Sequence, residues 1–279
     1  MSTHSASSAL FVNALARGLT VLRAFKEGHS WMSLQDLANE TGLTKSAIQR
    51  FTHTLWVMGY LRKDPDTRRF ALSPQTLEFG REYTTGNPLV SHAQTYLHAL
   101  NRATGETCSL SEPVGQQVIY VARFAAHKEM FVQMPIGMRL PAYCTAAGRA
   151  ILAYLDPAVA TQILRSSDRI AHTATTITDM DALLAELDTV RRLGYSISNG
   201  EYYVADMTVS AAIFNSERLP IGAINVSVPL SRWSLDEVHQ KLAPQILEAA
   251  RAISALNLNH IKQPFYLFEC ESRYEDMQD

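Results

Sequence analysis

The chain has 279 residues, 47% of them hydrophobic and 19% charged, with a formal net charge of −2 at pH 7. That length suits two domains, and the mix is globular, so a collagen-like, rod-like or disordered chain is excluded. No window approaches the roughly 18–20 apolar residues of a membrane span, and MSTHSASSALFVNALARG has no basic stretch ahead of its apolar part; neither a membrane protein nor a secretion signal is expected.

Leu15, Leu19, Leu22 and Phe25 recur at helical spacing and are expected to form the inner face of a first helix. Ser33 can cap a second helix, with Asp36 at its third position and Leu34, Leu37 and Ala38 inward. Gly42 ends that helix in a turn needing positive φ. Thr44 then caps a third helix through Ala47, Ile48, Phe51, Leu55 and Met58. Ala38 is small where two helices cross, Gly42 follows at the turn, and Ile48 packs back into the angle. A helix-turn-helix requires that spacing.

The outer face of the third helix carries Lys45, Ser46, Gln49, Arg50 and His53, donors suited to base edges and phosphates. Any surface helix has a solvated polar face, so the next segment decides. Gly59–Lys63 and Arg68–Leu72 read as strands about the turn Asp64-Pro65-Asp66-Thr67. They form a wing tipped with Arg68 and Arg69, suited to phosphate contact. Residues 13–73 are therefore read as a winged helix-turn-helix on double-stranded operator DNA. Its DNA-facing set is Ser33, Thr44, Lys45, Ser46, Gln49, Arg50, His53, Arg68 and Arg69. The charge agrees: residues 1–80 carry +3 and residues 81–279 carry −5.

Ser73-Pro74 starts a linker helix reaching about Tyr83, within residues 74–88, and Thr85–Pro88 stops it. It is too short to stand alone and is expected to pack on a second copy. Leu89–Ala103 reads as a further helix and opens a body over residues 89–258. From Glu106 the period changes to two. Thr107–Leu110, Val118–Phe124 and Met130–Gln133 read as strands, with turns at Pro113–Gln116 and Ala126–Lys128. An extended segment to Tyr143 leads into a helix starting near Thr145. Ala146, Ala147 and Gly148 leave its first N–H groups open to a carboxylate, but close helix–sheet packing selects small residues equally.

Thr178-x-x-Asp181 opens a helix through Leu183, Leu184, Leu187 and Val190, closed by Gly194. Tyr195–Ser198, Thr208–Phe214 and Ile221–Val228 are β-rich. Ser234-x-x-Glu237 opens a last helix to about Leu256, which Pro244 should kink or split. The class is α+β with a largely antiparallel sheet. Residues 259–279 form a tail without a clear element.

Cys108, Cys144 and Cys270 are odd in number and widely spaced, with no C-x-x-C, and the nine histidines show no H-E-x-x-H. Neither a metal nor a disulfide framework nor a cofactor is implied, and a reducing cytoplasm fits. A cysteine-dependent enzyme acting on a small carboxylate through Cys144, near a helix start that favours thiolate, is the alternative. No histidine lies nearby to act as base, and such an enzyme has no need of residues 13–72, so an enzyme is not expected.

Five blocks, RGLTVLRAF, LQDLANETGLTKSAIQRFTHTLWVMGYL, GMRLPAYCTAAGRAILAYL, RRLGYSISNGEYY and GAINVSVPLSRW, span roughly Arg17 to Leu256. In order and spacing they resemble the IclR family of bacterial transcription regulators. The resemblance implies a winged helix, a dimerising linker and a GAF-like domain that binds a small organic acid, in a homodimer or dimer of dimers. The segment LPAYCTAAGRA is most similar to the branch controlling catabolism of aromatic acids such as protocatechuate or hydroxybenzoate. The resemblance favours the helix start at Thr145, Ala146 and Ala147 as the effector site. It adds Ser198, Thr208, Asn225 and Ser227 as small polar groups. Here Ala205 replaces a common glycine, Asn225 stands where a serine is usual, and Ser198 where some members are acidic. Tyr143, Phe131 and Met134 are expected as apolar walls, a role that core packing explains as well.

Overall fold

In the computed structural model, which describes residues 10–26, 28–126, 134–256 and 258, Ser33 caps the second helix as its sequence predicts. Its hydroxyl accepts from the Asp36 N–H at 3.2 Å and the Asp36 carboxylate accepts from the Ser33 N–H at 2.8 Å. The helices are α1 (Asn13–Arg23), α2 (Leu34–Thr41) and α3 (Lys45–Val57). Gly42 takes φ 68° between α2 and α3, and the Thr44 side chain accepts from the Ala47 N–H. Leu37 and Ile48 are buried with Val21, Ala24 and Met32 as the small core. Strands β1 (Leu61–Lys63) and β2 (Phe70–Leu72) pair antiparallel as the wing. Met32 ties the chain before α2 to it through two backbone bonds with Phe70, at 2.9 and 2.8 Å.

The expected inner face of α1 is corrected in part: Leu22 is half-buried and Phe25 packs on the small core, but its first two leucines are not inward. Leu15 and Leu19 are 63% and 47% exposed, and Ala16 and Val21 are the helix's buried residues. A Cβ on Gly18 would lie 3.9 Å from Phe51. α1 therefore packs on α3 at ordinary van der Waals distance, and Leu15 and Leu19 turn outward.

This first unit runs to Tyr83 and a second starts at Thr84. Near the end of the first unit Ser73 caps a 3-10 turn, Pro74–Thr76, and α4 follows across the boundary as Leu77–Gly86. The linker helix therefore runs past the expected Tyr83. Asn87 then caps α5 (Pro88–Thr104).

The second unit is built on one antiparallel sheet. Its strands are β3 (Thr107–Val114), β4 (Gln117–Phe124), β5 (Arg139–Pro141), β6 (Ser196–Asn199), β7 (Asp206–Phe214) and β8 (Pro220–Pro229), in the spatial order β5-β4-β3-β8-β7-β6. Alternation divides the strands between two cores. Met207, Val209, Ala211, Ile224, Val226 and Val228 bury with residues of α5 and of α10 (Ala243–Ser254). Ala212 and Ala223 face the other way and bury with Ala147, Ala150 and Ile151 of α6 (Ala146–Leu152).

α7 (Pro157–Ser166) was not expected, although Asp156 caps it and Pro157 opens it. α8 (Met180–Leu193) is capped by Asp179, which accepts from the Ala182 N–H at 2.9 Å, rather than by Thr178. After the one-turn α9 (Leu235–Glu237), Val238–Leu242 forms a π-helical turn before α10; Pro244 divides the last helix as expected. Phe131, the strand read at Met130–Gln133, part of the turn Ala126–Lys128 and the tail at 259–279 lie outside the described residues. Among the described residues no helix is long and apolar enough to cross a membrane.

Candidate functional site

The first unit presents α3 as an exposed helix. Thr44, Lys45, Ser46, Gln49, Arg50 and His53 are all exposed. Gln49, Arg50 and His53 line one groove together with Trp56, Lys63 and Phe70. The Lys63 ammonium stands 6.0 Å from the Trp56 ring and 5.4 Å from the Phe70 ring, so β1 brings a cation to the open face of α3. Lys63 and Trp56 were missed as site residues; the first was read only as strand and the second only as part of a helix.

Ser33, Thr44 and Arg69 each have a partner within the first unit. The Ser33 and Thr44 hydroxyls serve as helix caps. Arg69 folds back from the wing. Its guanidinium donates to the Trp31 carbonyl at 3.2 Å and lies 4.0 Å from the Asp36 carboxylate. Arg68 remains exposed at the turn, with φ 60°.

In the second unit a cavity opens between the start of α6, residues 201–206 and the sheet. It collects Thr145, Ala146, Ser198 and Thr208, and Met134 joins its wall. Tyr143, Ala147, Asn225 and Ser227 do not line it. Tyr143 points into the core beside α7 and α8, its hydroxyl bonded to the Ile170 carbonyl at 2.6 Å. Ala147 packs against the sheet, which satisfies the close-packing reading of that small residue. Gly148 shows how close the approach is: a Cβ there would lie 2.2 Å from the Ala142 carbonyl oxygen.

Asn225 and Ser227 stand behind the cavity wall. Pairing aligns Ser198, Thr208, Ser227 and Thr107 across four strands, and Ser196, Ser210, Asn225 and Ser109 in the next row. The Thr208 and Ser227 hydroxyls are 2.8 Å apart, and Thr208 Oγ1 donates to the Asp206 carboxylate at 3.0 Å. Asn225 Oδ1 and the Ser111 and Ser196 hydroxyls are buried without a partner among the described residues. Buried orphan polar atoms are costly, and here they mark a polar layer beneath the cavity floor.

Two carboxylates face the cavity, in different states. Glu201 is paired: Arg149 Nη1 donates to Glu201 Oε1 at 2.6 Å, and the Ile177 N–H donates to Oε2 at 3.1 Å. Arg149 itself is 1% exposed and also donates from Nε to the Tyr143 carbonyl at 2.8 Å. Asp206 has the Thr208 hydroxyl but, among the described residues, no cation; burial pushes its carboxyl up to about 6. Tyr120, Tyr202 and Tyr203 complete the wall, and burial pushes the Tyr120 phenol up. Cys144 also lies there, but burial pushes its thiol up to about 12. The thiolate that nucleophilic chemistry needs is therefore absent near neutral pH. Asp206 was legible by strand period, two residues ahead of Thr208 on one face.

Residues 14–65 match the family described as the IclR helix-turn-helix domain, and residues 81–255 match the bacterial transcriptional regulator IclR C-terminal domain. The chain is 31% identical over 242 residues to the Pca regulon regulatory protein of Pseudomonas putida, covering 86% of this chain and 82% of that one. Among solved structures it is similar to an IclR transcriptional regulator from Alicyclobacillus acidocaldarius, 26% identical with TM-score 0.78, covering 88% and 98% of the two chains. An IclR homolog from Microbacterium hydrocarbonoxydans, complexed with 4-hydroxybenzoate, shares the fold at 22% identity and TM-score 0.73, covering 87% and 98%.

Proposed function

The chain belongs to the IclR family of transcription regulators, and from that premise we propose that a small aromatic carboxylic acid, held in the cavity of the second unit, controls its action on operator DNA. The protein is a DNA-binding regulator rather than an enzyme. Work on operator DNA supports a cytoplasmic location.

The observation that carries the effector reading is the cavity itself. Tyr120, Tyr202 and Tyr203 offer ring surfaces, and Ala146 offers a first-turn backbone N–H that has no partner within its helix. Arg149 is spent on Glu201, so a carboxylate is received by neutral donors. The homolog that holds 4-hydroxybenzoate supports a ligand of that size in this fold.

On DNA, Lys45, Ser46, Gln49, Arg50 and His53 read the major groove, and Arg68 with Lys63 meets phosphate. Two copies reading two half-sites support a dimer or a dimer of dimers. The outward leucines of α1, with Leu77 and Phe79 of α4 at 74% and 62% exposed, supply apolar surface for it.

The test is fluorescence anisotropy on a duplex selected by the protein from a random pool, alongside thermal unfolding, each with and without aromatic carboxylates. Salt-dependent duplex binding, and at least one acid that raises the melting temperature and alters duplex binding, are expected. A protein that ignores duplex DNA, or whose stability no such acid changes, contradicts the proposal.

A further inference from the structure

We propose that Asp206 is a specificity-determining residue of the cavity, accepting a hydrogen bond from a neutral hydroxyl on the bound acid and so selecting hydroxylated carboxylic acids over their unsubstituted parents. The inference rests on the reading of the cavity as the effector site.

Of the two carboxylates in the wall, Glu201 is fully engaged by Arg149 and the Ile177 N–H. Among the described residues Asp206 has one neutral donor, the Thr208 hydroxyl, and that hydroxyl is shared with Ser227. A carboxylate has about four acceptor sites, so Asp206 keeps acceptor capacity on the cavity side. Its position is fixed: its N–H donates to the Tyr203 carbonyl at 3.1 Å, and its carbonyl accepts from the Gly200 N–H at 2.8 Å. Facing it are Thr208 on its own strand, Tyr120 on β4, and Tyr202, Tyr203 and Glu201 in the preceding loop, with Cys144 before α6.

Without a ligand donor, this carboxylate is a largely desolvated charge with no cation beside it among the described residues, a costly arrangement. A hydroxyl on the ligand supplies the missing donor and brings no second charge to desolvate. An ammonium would have to shed its own hydration to reach a group whose ionised form burial already disfavours, pushing its carboxyl up to about 6.

Isothermal titration at pH 8, where Asp206 is ionised, with benzoate, 3-hydroxybenzoate, 4-hydroxybenzoate and 4-(aminomethyl)benzoate tests this. Wild type should bind one hydroxybenzoate about tenfold or more tighter than benzoate, the scale of one hydrogen bond to a charged acceptor. Asp206→Ala should bring that ratio close to one. Asp206→Asn, nearly isosteric, keeps a weaker acceptor and should retain a reduced preference, so an unfolded alanine variant leaves the test decisive. Wild type binding benzoate and both hydroxybenzoates equally, or variants weakening all acids by one factor, overturns the inference and leaves the cavity reading standing. Tightest binding by the aminomethyl acid overturns it in favour of a cation. Binding of none of the acids overturns the cavity reading and this inference with it.

Discussion

Arg149 holds two parts of the cavity together, because its guanidinium spans the Tyr143 carbonyl and the Glu201 carboxylate from a fully buried position. Removing one partner of such a pair leaves an uncompensated charge. Glu201→Gln should therefore cost about 3–5 kcal/mol in urea unfolding. Asp206 makes the opposite kind of prediction. Burial raises its carboxyl from 3.8 to about 6, so the folded chain holds a proton there that the unfolded chain releases. The resulting cost is absent below about pH 4, grows up to about pH 6, and stays constant above, reaching at most about 3 kcal/mol. Asp206→Asn should then stabilise the protein more at pH 7.5 than at pH 4 in thermal melts. An equal effect at both values would mean that the carboxyl titrates normally.

Elements impose the next constraints. The first turn of α6 reaches the cavity wall only because Gly148 lets it approach Ala142. Gly148→Ala forces α6 outward and should cost about 1–3 kcal/mol or more, with weaker acid binding as well. In the wing, Arg68 is exposed, whereas Arg69 is held by the Trp31 carbonyl near Asp36. Arg68→Ala should flatten the dependence of log K on log salt by about one unit, and Arg69→Ala should change it much less. Equal slopes for the two variants would place Arg69 on phosphate after all. Gln49→Ala should instead alter base preference at one position. Elements set by local chemistry were legible in the sequence: Ser33, Gly42, Thr44 and Ser234 each act within about four residues of themselves. Asp179 displaced Thr178 as a cap because two adjacent oxygens compete for one helix start. The stripe of leucines on α1 misled, since helical period marks an apolar face without saying what covers it. The cavity was half legible. Thr145, Ala146, Ser198 and Thr208 came from the family resemblance, Glu201 lies in one of its blocks and Asp206 follows from Thr208 by strand period, but Tyr120 meets them only through sheet register.

The winged helix-turn-helix and the cavity lie in separate units, one up to Tyr83 and one from Thr84. Leu19→Glu combined with Phe79→Glu should shift the light-scattering mass toward the monomer at micromolar concentration and lower DNA affinity, with the melting of the second unit unchanged. The central claim is that the second unit holds a carboxylate beside Ala146. Isothermal titration of the tightest aromatic acid into wild type, Ala146→Ser and Ala146→Asp tests it most directly, using variants that melt cooperatively and bind duplex DNA. Two like charges about 4 Å apart repel by about 4 kcal/mol at an effective dielectric near 20. The serine variant should bind within about tenfold of wild type, and the aspartate variant should lose at least about a hundredfold. An aspartate variant that binds the acid within a few-fold of wild type would contradict the claim.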